Sequence, residues 1–204
     1  MTLSVFLDAN VLVPVGLTDL LLRLAEKGLI DPHWSPQVLD EVARAVARRQ
    51  PDRPPEAMRR RFDAMNRAFP YASTEASGEN IEAFELPDPD DRHVAAAAKA
   101  CEAQVVVTHN TKDFPAAELA AHGLSALPPD DLLLGLFHGD AKSAAAVVRE
   151  AAAATRNPPM TVADILVSLS KVHLPKFVAA VTAYLESEPV PSDAAESDQV
   201  PPEI

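Results

Sequence analysis

Cysteine occurs once, at Cys101, so no disulfide can close within the chain, and this thiol has no obvious His partner to make it a nucleophile. No apolar run reaches the ~20 residues that a membrane-spanning helix needs. No basic segment precedes the first apolar run, and Asp8 interrupts that run, which argues against a signal peptide. No serine lies in a nucleophile-elbow motif, and no internal repeat is apparent. Together these absences lead to the expectation of a soluble cytoplasmic protein. At 204 residues the chain can bury one proper core and carry an appendage.

Positive charge is also scarce. Against 30 Asp and Glu there are 18 Lys and Arg, a formal net charge of −12. The distribution matters more than the sum. After Tyr184 come Glu186, Glu188, Asp193, Glu196, Asp198 and Glu203 with no Lys or Arg, so the Pro- and Ser-rich segment 187–204 is expected to be a disordered acidic tail. Basic residues gather instead between Arg44 and Arg67, where Arg48, Arg49, Arg53, Arg59, Arg60 and Arg61 also stand. This is the region available for phosphates, with Arg44, Arg48, Arg59, Arg60 and Arg61 as the candidate contacts. A solvated helical face is the competing account.

Strand and helix signals alternate through residues 1–130. Leu3 to Leu7 is a short buried strand, and Thr18 to Gly28 a helix with Leu20, Leu21 and Leu24 on its apolar side and Gly28 as its stop. Ser35-Pro36 opens a helix that runs towards Arg49, and after the break at Pro51 to Pro55 a second helix, Glu56 to Arg67, completes an arm. Phe69 to Pro87 reads as irregular or mixed. A helix from Asp91 to about Ala103, a strand at Val105 to Thr108, a short helix after Pro115 and a small strand near Leu124 to Leu127 follow. This alternation is the signature of a parallel sheet, hence an α/β fold. Residues 131–186 read as helices only, beginning at Asp130 and Lys142, with a capping box at Thr161-Val162-Ala163-Asp164 and a last helix from Leu174-Pro175. That extension is either an added packing layer, a cover for a cleft, or a surface for a partner or a second copy.

Two acids follow strands. Asp8 closes the first, and Asp113 comes a few polar residues after Gln104 to Thr108. In an open parallel sheet ligands bind beyond the carboxyl ends of the strands, so both acids fall on the functional rim. Hard oxygen donors gathered there suit Mg²⁺ or Mn²⁺. On the Pro36 helix Val38, Leu39, Val42 and Val46 form the buried stripe, with Glu41 beside it and Asp40 further towards solvent. Asp88, Asp90 and Asp91 precede Val94 and a run of alanines, and one of the three is expected to cap that helix.

The segments Phe6-Leu7-Asp8-Ala9-Asn10-Val11-Leu12, Leu39-Asp40-Glu41-Val42, Asp88-Pro89-Asp90-Asp91-Arg92-His93-Val94-Ala95-Ala96-Ala97 and Val107-Thr108-His109-Asn110-Thr111-Lys112-Asp113-Phe114 resemble, in order and spacing, those of the PIN-domain nucleases. Within that family they resemble the VapC toxins of bacterial type II toxin–antitoxin pairs. The resemblance implies a PIN-like three-layer α/β/α fold and a metal-dependent endoribonuclease, often homodimeric, held inactive by a cognate antitoxin and leaving 5′-phosphate and 3′-hydroxyl ends. It selects Asp8, Glu41, Asp91 and Asp113 as the catalytic acids, with Asp8, Asp91 and Asp113 on the metal. Asn10, Asp88, Thr108 and Asn110 would support them, with Thr108 and Asn110 binding water or phosphate. His93 would be a surface or structural residue. The chain departs from a common family form at Asn110, where an Asp is usual, so a second cation would be held more weakly.

Two other accounts compete. A haloacid-dehalogenase-type phosphohydrolase also places an Asp after its first strand, but its chemistry needs a second Asp two residues on, and here that residue is Asn10. A non-catalytic PIN-fold regulatory protein that binds RNA or a partner would be expected to lose the acids this chain retains.

Overall fold

The computed structural model describes residues 2–188; the expected acidic tail therefore lies almost wholly outside the described residues. Four parallel strands form one sheet in the order β2-β1-β3-β4. β1, Leu3–Leu7, is central, and Val5, Phe6 and Leu7 are fully buried, as a strand covered on both faces requires. From β1 the chain passes through α1, Ala9–Leu12, and α2, Val15–Glu26, to the edge strand β2, Ile30–His33. Gly28, at φ +73, ends α2: Leu29 N–H reaches back to the Leu24 carbonyl at 3.0 Å, a closure that needs a left-handed residue in between.

β2 was not foreseen, because its sequence, Ile-Asp-Pro-His, carries a proline in the third position. The edge location resolves this. Only one side of β2 is paired, so Pro32 can face away from the ladder without costing a bond.

The arm follows: α3, Pro36–Arg49, and α4, Pro55–Ala68. Ser35 caps α3 through the Val38 N–H at 3.1 Å, as expected. α4 docks through Met58 and Met65, and Asn66 accepts from Trp34 Nε1 at 2.9 Å. The segment expected to be irregular or mixed contains the short helix α5, Gly78–Glu82. α6, Arg92–Ala100, packs on β1 and β3, and Val94 to Ala98 are fully buried because their small side chains admit close approach to the sheet. β3 is Val105–Val107, α7 Ala116–Ala121 and β4 Ser125–Leu127. Helices flank this sheet in the expected three-layer α/β/α arrangement.

Beyond it come α8, Pro129–Gly139; α9, Ala141–Ala154; α10, Val162–Ser170; and α11, Pro175–Ser187. They pack on one another, and α9 and α10 pack on α2. The capping box at Thr161 and Asp164 is present. A cap no local pattern announced starts α11: the buried Asp130 carboxylate on α8 accepts from Lys176 N–H at 3.1 Å and Phe177 N–H at 2.9 Å. No described helix is long and apolar enough to cross a membrane.

Candidate metal centre

From β1 the chain moves to β2 on one side, and from β3 to β4 on the other, so the strand order reverses between β1 and β3. Such a reversal opens a crevice at the strands' carboxyl ends. Asp8 and Thr108 stand at those two ends; Asp8 N–H continues the β1–β3 ladder to Val107 O, and Thr108 N–H continues the β3–β4 ladder to Leu127 O, both at 3.1 Å.

Asp8 is 5% exposed, and its carboxylate is held from three directions. Oδ1 accepts from Ala9 N–H at 2.6 Å; Oδ2 accepts from Asn10 Nδ2 at 2.6 Å and from the Thr108 hydroxyl at 2.7 Å. One lone pair, on Oδ1, is left over. Asn10 works as a clamp between strand ends. Its Nδ2 donates also to Thr108 Oγ1 at 2.9 Å, and its Oδ1 accepts from His109 N–H at 3.0 Å. Thr108, expected to meet water or phosphate, is fully buried, and its hydroxyl also accepts from Asn110 N–H at 3.0 Å. With every bonding capacity used inside the protein, Thr108 orients Asp8 and has none left for substrate.

Burial pushes the Asp8 carboxyl up from its ordinary value, the bonds from Thr108 and Ala9 oppose that, and the charge of Glu41 adds to it. Asp91 is pushed up to about 6, first by burial and then by the negative charges of Asp8, Asp88 and Asp113. The acids picked out from opposite ends of the sequence thus feel one another at one rim. Of the acidic trio before α6, Asp88 is the cap, accepting from Asp90 N–H at 2.9 Å at the start of a 3-10 turn, whereas Asp91 makes no capping bond and remains free for the rim. Asp113 closes a 3-10 turn, Thr111–Asp113, and is bonded by the Asn110 side-chain amide. Glu41, on α3, is 29% exposed at its side chain.

Among the described residues no three His, Cys, Asp or Glu side chains close into a ready-made cage for an ion. The donor set nonetheless fits a hard cation that keeps much of its water. Mg²⁺ is commonly bound through one or two carboxylates only, and a free Asp8 lone pair beside a proton-hungry Asp91 is such a set.

A family model described as "PIN domain" matches residues 4–112, more than half of the chain. The chain belongs to the PIN-domain family. A second model, described as "VapC50 C-terminal domain", matches residues 129–183, the span of α8 to α11 short of its last turn. A Mycobacterium tuberculosis (strain ATCC 25618 / H37Rv) protein provisionally named ribonuclease VapC50 is 38% identical over 89 residues, 44% of this chain. Those residues are 52% of the relative, so the chain spans about half its length. No solved structure matches the chain at a significant level.

The PIN-domain rim differs from the sequence reading at several residues. Of the two readings of His93, surface or structural, burial removes the first: it is 5% exposed, and its Nε2 lies 2.8 Å from Glu41 Oε1. Arg61 turns away from solvent, donating from Nη2 to the Leu12 carbonyl at 2.7 Å and to Thr18 Oγ1 at 2.8 Å. Burial lowers its pKa to about 10. Arg61 therefore fastens α4 to the body and is not presented to RNA. Its place was readable, because it lies three residues after Met58 and four before Met65, on the same helical face. Arg59 and Arg60 are exposed. Arg44 and Arg48 line a polar cleft of about 510 Å³ shared with Glu41 and Asp91. From the extension, the α10–α11 turn brings His173 edge-to-face with His109 on the rim loop, ring centroids 6.0 Å apart.

Proposed function

We propose that this chain is a divalent-metal-dependent endoribonuclease, the toxin of a toxin–antitoxin pair, with residues 1–130 as the nuclease unit and 131–186 as an extension packed against it. The observation that carries the reading is the Asp8–Asn10–Thr108 lattice at the β1/β3 crevice. It spends three donors on a buried carboxylate, opposing the upward push of burial on its pKa, and leaves one lone pair beside Asp91. Bare negative charges kept this close are costly unless a cation joins them. Asp8, Asp91 and Asp113 would hold Mg²⁺ or Mn²⁺, with Glu41 completing the acidic set. A divalent ion there neutralises the acids, acidifies water for in-line attack on a phosphodiester and stabilises the leaving oxygen.

The protein's own part is positional. Asn10, Thr108 and Asn110 fix Asp8 and Asp113, while Arg44 and Arg48 offer charge to the phosphates of a strand entering the cleft. RNA is the substrate class and a cognate antitoxin the partner; a homodimer is the assembly the VapC likeness suggests. The alternative, a regulatory PIN protein without catalysis, is disfavoured by a rim that still carries its full acid set. Purified protein incubated with RNA, with and without Mg²⁺ or Mn²⁺, decides between them. Metal-dependent cuts bearing 5′-phosphate and 3′-hydroxyl ends support the nuclease. RNA that stays intact in the presence of both metals, while still being bound, supports the regulatory protein.

A further inference from the structure

Among the described residues His93 makes one close polar side-chain contact, and it goes to the rim. The imidazole is 5% exposed; Nε2 lies 2.8 Å from Glu41 Oε1, and Nδ1 is buried without any partner among the described residues. A carboxylate can only accept, so Nε2 carries the hydrogen. A histidine used simply to brace the scaffold would be expected to satisfy its buried second nitrogen as well. Among the described residues Glu41 also pairs with Arg44, 3.8 Å away on the same helix and itself exposed. Both contacts fall on Oε1, which leaves Oε2 unengaged among the described residues. The bond also joins α3 to α6, and Asp91 lies two residues before His93, so one short segment carries both a rim acid and the tie to another.

Resting on the nuclease reading above, we propose that His93 is a positioning residue that holds Glu41 towards the acidic rim. A glutamate on a partly exposed helix face has three rotatable bonds and spends little time in any one direction. A 2.8 Å contact with a buried imidazole restricts that freedom. The chemistry then meets a fixed carboxylate instead of a swinging one.

The test compares His93→Leu, His93→Gln, Glu41→Gln and the double variant His93→Leu with Glu41→Gln, in the full chain. Loss of such an outer partner typically costs ~10- to 100-fold, so His93→Leu should lower kcat by at least ~10-fold with little change in KM for RNA. Gln places an amide N–H near the Nε2 position, so His93→Gln should recover most of the loss. In the Glu41→Gln background, His93→Leu should cost nothing more. A His93→Leu enzyme within about threefold of the unaltered protein, or a penalty that simply adds in the double variant, overturns the proposal.

A readout independent of cleavage covers variants that fold poorly. In ¹⁵N–¹H imidazole spectra of the unaltered protein, His93 should show a hydrogen on Nε2 whose signal moves on Glu41→Gln. A signal that ignores that change overturns the proposal. An unaltered protein that cuts no RNA with Mg²⁺ or Mn²⁺ defeats the nuclease reading instead, and the imidazole spectrum still decides the contact.

Discussion

At the rim, Asp8 is gripped by three donors within 2.7 Å and Thr108 has no bonding capacity to spare; on the arm, Arg48, Arg59 and Arg60 have no side-chain partner among the described residues. The contrast follows from what each charge must do. Like charges packed at one rim repel, and only a lattice of short hydrogen bonds keeps them aimed at a common point. On the proposed function the arm charges would meet a flexible polyanion and would lose little by staying mobile, since phosphate contacts act mainly by releasing counterions. Arg61 marks the boundary, being of the arm in sequence and of the scaffold in structure.

Removing the rim charge should break the contrast most severely. Asp8→Asn is expected to lower cleavage by at least ~10³-fold, a loss of about 4 kcal/mol in transition-state stabilisation, with circular dichroism unchanged. Asparagine also turns one acceptor into a donor facing the Asn10 amide, so a small drop in melting temperature should accompany it. Cleavage within a few-fold of the unaltered rate would remove Asp8 from the metal centre.

The arm comes next. Arg61→Ala should destabilise the fold by ~1–3 kcal/mol, because the Leu12 carbonyl and Thr18 hydroxyl lose a buried charged donor, while the salt dependence of RNA affinity stays the same. Arg44→Ala with Arg48→Ala should do the reverse. Stability should hold within ~0.5 kcal/mol, while the log–log salt slope on single-stranded RNA flattens by roughly 0.7 per lost contact. Urea melts and salt titrations on a catalytically dead parent measure both. A flattened slope in the Arg61 variant would return that residue to the RNA surface.

The subtlest prediction concerns Asp91 in metal-free protein. Its pKa is raised to about 6 in the fold against 3.8 outside it. Its stabilising balance is therefore intact below pH 3.8 and is lost as pH rises to about 6, because the unfolded chain ionises first. Asp91→Asn should accordingly raise the unfolding free energy with chelator present at pH 7, by ~1 kcal/mol once solvent screening of this partly exposed group is allowed for. The gain should vanish near pH 3.5, and added Mg²⁺ should reverse the ranking at pH 7. A variant less stable than the parent at pH 7 in chelator would show that Asp91 is not under electrostatic strain.

How far the sequence exposes this molecule depends on how local each signal is. Ser35, Gly28 and the Thr161 box act within a few residues of their own position, and each ends or begins a helix where the pattern says. Asp8 and Asp113 follow buried strands, which puts them on one rim by topology alone. What hid were features set by distant partners. β2 carries a proline that only an edge can tolerate. His93 lies in a helix buried continuously from His93 to Ala98, where no amphipathic stripe separates inside from outside. Thr108 read as a free hydroxyl because the groups that exhaust it include Asn10, 98 residues away.

Asp130 gives the fold an order in time. The sheet's rim acids all lie before residue 114, yet the N–H groups that satisfy the Asp130 carboxylate belong to residues 176 and 177, up to 47 positions later. At synthesis rates of ~5–20 residues per second, α8 leaves the ribosome roughly 2 to 10 seconds ahead of them. Until they arrive, a carboxylate that ends up 6% exposed must remain in water. Burial of the α8 start therefore waits for α11, and the extension closes after the sheet half has been spelled out.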